Sequence, residues 1–160
     1  MMNNNLRVLR AYVLGIAISL IVSLAIGALY KFWYIVPTII TSITTYCLLY
    51  RSLWKMGQQD SERKLPPLIN VVFYTAYFVG ITAFFEIVVG ICAIFNLQTL
   101  QGIFTRAGIV WFLPFSGFLN ETTFLALSPV ITLITIIWCM VSYRMGSKQI
   151  SILQTIKNRL

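Results

Sequence analysis

The chain has 160 residues, of which 59% are Ala, Val, Ile, Leu, Met, Phe, Trp, Tyr or Cys and only 10% are charged. Soluble domains carry roughly 25% charged residues because their surfaces need them, so a water-soluble globule is excluded as the first reading and lipid is the expected solvent. The net charge is +8 and histidine is absent, which removes imidazole bases, His-ligated zinc or haem, and every histidine-activated nucleophile.

Cys47, Cys92 and Cys139 stand singly in apolar runs without a C-x-x-C pair and read as small buried hydrophobes. The acids are Asp60, Glu62, Glu86 and Glu121, which supply no aspartate pair for an intramembrane aspartyl hydrolase. The chain therefore reads as a non-enzyme with no metal and no cofactor. Its cations do not interleave with aromatics over a polar platform, so nucleic acid is not an expected partner and the charge reads as topology.

Residues 11–30 are a run of 20 without charge, about 30 Å as a helix and matched to the hydrocarbon core. A cleaved signal peptide after Arg7 and Arg10 is the competing reading, but the run is too long for that and more apolar sequence follows. Lys31 with Phe32, Trp33 and Tyr34 predicts a short interfacial hairpin, and a second span is expected over about residues 32–50, with Pro37 near the first turn of its helix, where its missing N–H costs little. Tyr30, Trp33 and Tyr34 at one end and Tyr46 and Tyr50 at the other fit aromatic belts. The polar stretch 51–67, closed by Pro66-Pro67, reads as a loop or a short interfacial turn, with Trp54 and Met56 floating at the lipid interface.

Residues 68–95 form a third expected span, longer than the core is thick and so tilted, with Glu86 inside it. An external loop, 96–123, follows. Within it 109–119 is apolar but only 11 residues long and contains Pro114 and Gly117. That is too short to cross, so a membrane-touching or re-entrant segment is expected, stable only if protein packs against its backbone groups. The last span is 124–143, with Ser128-Pro129 as helix start or kink. The tail, 144–160, places Ile150, Ile152, Leu153, Ile156 and Leu160 on one arc, an amphipathic helix lying on the leaflet with Lys148, Lys157 and Arg159 toward anionic lipid headgroups.

Ten cations (Arg7, Arg10, Arg51, Lys55, Arg63, Lys64, Arg144, Lys148, Lys157, Arg159) lie on one side of this arrangement against Lys31 and Arg106 on the other. The positive-inside rule then places both termini in the cytoplasm. The expected fold is an all-α integral membrane four-helix bundle forming one domain over 1–160. So strong a charge bias also argues against an antiparallel, dual-topology dimer.

Three stripes stand out on these helices. Ala11, Gly15, Ser19, Ser23 and Gly27 recur every four residues and form a small face for close helix approach, read first as intramolecular packing and second as a homo-oligomer contact. Ser128, Thr132, Thr135, Cys139 and Ser142 form a polar seam on the last span, matched by Thr38, Thr41, Ser42 and Thr45 on the second. Such hydroxyls bond their own helix backbone or cross to a neighbour. Glu86, with Thr82 one turn before it, is the candidate intramembrane ion or proton site, since an acid inside a span is costly unless it serves a purpose. The structural alternative is an acid held by hydrogen bonds or reaching toward Arg106 or Lys31.

Two patches, Trp54-Lys55-Met56-Gly57-Gln58-Gln59-Asp60 and Tyr143-Arg144-Met145-Gly146-Ser147-Lys148-Gln149-Ile150-Ser151-Ile152, resemble the W-x-x-G-x-x-D loop and Y-x-x-G-x-K-x-I-S-I tail of small, uncharacterised multi-spanning membrane proteins of Gram-positive bacteria. The resemblance implies a bacterial plasma membrane setting and no particular chemistry. Within the patches the glycines read as sharp turns where helices leave the bilayer, and Asp60 as a partner for loop cations. The expected function is that of a non-catalytic accessory, regulatory or immunity-type subunit docking on a membrane protein partner or on itself. The alternative is a small proton- or cation-linked transporter or channel using Glu86.

Overall fold

The computed structural model describes residues 2–27, 35–62, 67–119 and 121–150, and these are helical almost throughout. The elements in order are α1 (Met2–Gly27), α2 (Ile35–Glu62), α3 (Pro67–Ile94), α4 (Gln98–Trp111), a 3-10 turn (Leu113–Phe118) and α5 (Phe124–Ser147). Three stretches, Leu6–Ala25, Thr75–Ile94 and Phe124–Ser147, are long and apolar enough to cross a membrane. The chain is a membrane protein. α2 falls short of that measure because its first half is rich in threonine and its last third carries charge.

The helix boundaries follow local chemistry. Pro67 opens α3 at a position where its missing N–H costs nothing. α3 stops at Asn96, whose φ of 55° is left-handed. The Leu97 N–H then reaches the Cys92 carbonyl at 2.9 Å and the Asn96 N–H reaches Ala93 at 3.2 Å, the paired bonds of a Schellman cap. α5 ends the same way at Gln149, φ 56°, with Ile150 N–H to Met145 and Gln149 N–H to Gly146, both at 2.9 Å.

α2 is the hub, sharing its largest interface with α5 and its next with α1. Contacts that climb together in number, Tyr46 with Thr135 and Trp54 with Gly146, show that α2 and α5 run parallel. α1 runs against α2, since Gly15 meets Thr45 while Arg7 meets Gln59. Between them lies an aromatic core in which the Tyr12 ring meets Phe78 edge-on at 4.7 Å and Trp111 at 4.9 Å, and Tyr46 meets Phe115 at 5.5 Å and Trp138 at 5.7 Å. Outward faces are apolar, as at Ile21, Leu24, Ile43, Ile87, Leu133 and Ile137.

Several expectations are revised. The polar stretch expected as a loop is helix as far as Glu62, because Leu49, Leu53, Met56 and Asp60 form a buried stripe at helical spacing. Met56 is fully buried and does not float at an interface. The expected external loop contains the 14-residue helix α4. Cys92 and Cys139 are buried, but Cys47 faces outward. The hairpin at Lys31–Tyr34 and the tail arc beyond Ile150, with Lys157 and Arg159, lie outside the described residues.

Candidate functional site

At the end of the molecule that carries Arg51, Lys55, Arg144 and Lys148, α2 and α5 touch backbone to backbone. A Cβ on Gly57 would overlap the Tyr143 carbonyl and the Ser147 nitrogen, and one on Gly146 would overlap the Trp54 backbone. Neither glycine has a positive φ, so both sit in ordinary helix and serve close approach, not the sharp turns expected of them. The same crossing buries Asp60, 2% exposed, whose carboxyl oxygen accepts a 2.8 Å bond from the Tyr143 hydroxyl. Nearly two turns earlier the Trp54 indole N–H donates to the Ile150 carbonyl at 2.8 Å, holding the chain where it leaves α5. Trp54, Gly57 and Asp60 are three residues apart and share one face of α2. The two patches singled out in the sequence are thus one packed joint.

That joint has an internal repeat which pattern reading by helix stripes passes over. Trp54-Lys55-Met56-Gly57 and Tyr143-Arg144-Met145-Gly146 follow one rule, aromatic, cation, methionine, glycine, and the two copies lie on the two parallel helices that cross there. The signal was available in sequence to a comparison of the chain with itself.

The segment after α4 turns back into the helices. The Pro114 carbonyl accepts bonds from Ser42 at 2.7 Å and Thr41 at 3.1 Å, and the Gly117 N–H donates to Thr38 Oγ1 at 3.1 Å. The Trp111 carbonyl accepts from the Tyr12 hydroxyl at 3.0 Å, and the Trp111 indole N–H donates to Thr82 Oγ1 at 3.1 Å. Phe112, Pro114, Phe115 and Leu119 are buried. Irregular backbone among apolar helices is tolerated only with such partners, and the threonine seam of α2 supplies them.

Of the α5 seam, Thr135 bonds Tyr46 at 3.3 Å, while Thr132 and Ser142 bond back to Ser128 and Trp138 carbonyls one turn earlier. On α1, Gly15 and Ser19 are buried, Gly15 against Thr45, and Ser23 is exposed; Gly27 closes the helix. Lys148 is exposed. The structure does not bring Glu86 to Arg106, which forms a 2.8 Å ion pair with Glu121 instead. Glu86 is half-buried and faces Ser128 across the α3–α5 contact. Even so, neither Glu86 Oε1 nor Ser128 Oγ completes a hydrogen bond of ordinary geometry, and both atoms are buried. Thr82 is committed to Trp111 and to the Phe78 carbonyl, so it belongs to the returning segment and not to a carboxylate site.

Among the described residues no three His, Cys, Asp or Glu side chains are gathered where a metal could sit. Comparison with family models, curated proteins and solved structures finds no match.

Proposed function

We propose that the chain is a four-span bundle of the bacterial plasma membrane with both termini cytoplasmic, acting without catalysis as an accessory, regulatory or immunity-type subunit docked on another membrane protein. The observation that carries this reading is how the interior hydroxyls are used. Thr38, Thr41, Ser42, Thr82 and Tyr12 are bound to the returning segment, which sets Trp111 and Phe115 among the helices as a plug, and hydroxyls so engaged support packing over a lined route. At the basic end Arg7, Arg10, Arg51, Lys55, Arg144 and Lys148 are all exposed. Facing an anionic leaflet, each would contribute about 1 kcal/mol to holding that end at the surface. Gentle extraction of the full chain into nanodiscs should recover it with a defined partner or as a stable oligomer. Recovery of monomer alone, with no co-purifying protein, would overturn the reading.

A second reading rests on the buried, unpartnered Glu86 Oε1: a proton or cation carrier working through that carboxyl. The docking reading expects flux in proteoliposomes to equal that of protein-free vesicles, with Glu86→Gln changing nothing. A flux that the wild type supports and Glu86→Gln abolishes would put transport first.

A further inference from the structure

We infer that the Glu86 carboxyl, where α3 meets α5 at Ser128, pairs with a lysine or arginine carried by a transmembrane helix of a different protein. The inference rests on the docking reading and names the chemistry of its partner. Four observations lead to it. Glu86 stands in α3 eight residues before Ile94, about 12 Å below that end of the helix, and is only half-buried, beside outward-facing Ile87 at 60% exposure. Its Oε1 is turned inward without a partner, as is Ser128 Oγ opposite. On the same stretch of α5, Pro129 lies inside the helix and has no N–H to give the Leu125 carbonyl. One turn beyond Glu86, nothing stands within 4 Å of a side chain built on Gly90, so the approach is open.

The groups that face each other there are a carboxyl and a hydroxyl. Both accept hydrogen bonds, and the charged side chains that only donate are ammonium and guanidinium. An acid left open to lipid is costly and finds a counter-charge within the membrane. Among the described residues none is supplied: Arg106 is held by Glu121, and the helix stretches 11–27, 35–50, 67–94 and 124–143 contain no Lys or Arg. A second copy brings the same cation-free helices, so the charge complement points to a different protein.

The test uses the full chain in phosphatidylcholine liposomes and a synthetic leucine-alanine helix of about 23 residues bearing one Lys at the depth of Glu86, with association read by energy transfer. The Lys helix is expected to bind about tenfold more tightly than its all-apolar counterpart. Glu86→Gln, nearly the same shape, should erase that difference, and Glu86→Lys should transfer the preference to a helix bearing Glu. Equal binding of the Lys and apolar helices, or a Lys preference that survives Glu86→Gln, would overturn the proposal. Either result alongside intact co-purification of a native partner would leave docking through another surface standing. Loss of all co-purification in the wild type would remove the docking reading itself, whatever the synthetic helix does.

Discussion

Alanine at Gly57 or Gly146 is expected to cost more than about 3 kcal/mol, the upper end of ordinary overpacking, and to leave little monodisperse protein. The reason is what each new methyl group would meet. At Gly57 it meets the Tyr143 carbonyl and Ser147 nitrogen, and at Gly146 the Trp54 carbonyl and Cα. Side-chain ends can rotate aside, whereas backbone moves only with its helix, so α2 and α5 would have to separate. Separation also pulls the Tyr143 hydroxyl from Asp60 and the Trp54 indole from Ile150. Gly80→Ala and Gly102→Ala are the controls, since nothing lies within 4 Å of a Cβ at either site. Both should be neutral or stabilising by up to about 1 kcal/mol through helix propensity. Thermal melts followed by size-exclusion profiles in one detergent would read all four variants. Equal behaviour of Gly57→Ala and Gly80→Ala would mean that the joint is looser than its geometry implies.

The sequence made three membrane-crossing stretches legible because strongly apolar runs of helical length have few other readings. It also marked 109–119 as too short to cross. What it hid was helix in polar company. Arg51, Lys55 and Gln59 are exposed on α2 and give that segment the composition of a loop, while the stripe of Leu49, Leu53, Met56 and Asp60 behind them is what packs. α4 was hidden for a different reason: Leu97 precedes it and makes no side-chain cap bond, so no start signal of the usual kind exists. The partners of polar and charged groups were the least legible. Asp60 finds Tyr143 at a separation of 83 residues, and Arg106 finds Glu121 and not Glu86. Helix spacing locates the face of a residue, but which helix lies opposite is decided by packing across the whole chain.

The hydroxyls that hold the returning segment should show non-additive loss, and the geometry says in which order. Thr41 has other acceptors, the Pro37 carbonyl at 2.8 Å and the Thr38 carbonyl at 3.1 Å, whereas Ser42 bonds Pro114 at 2.7 Å, the shorter of the two bonds to that carbonyl. Thr41→Val should therefore be the milder single change and Ser42→Ala the larger. With both made, the Pro114 carbonyl loses its two donors where water is scarce, and a stranded buried acceptor costs about 1–3 kcal/mol. The double variant is accordingly expected to lose more than the two singles together, as residues sharing one partner do. Hydrogen exchange in nanodiscs would locate the damage. A loss of about 2 kcal/mol corresponds to roughly 30-fold faster exchange if opening is local, and it should appear across 111–119 while the α3 amides between Phe78 and Ile94 stay protected. Unchanged exchange at 111–119 would show that aromatic packing at Trp111, Phe112 and Phe115 holds the turn without its hydrogen bonds. Faster exchange spread over every helix would show instead that the plug is the core on which the helices close, so that the turn cannot open while the rest stays folded.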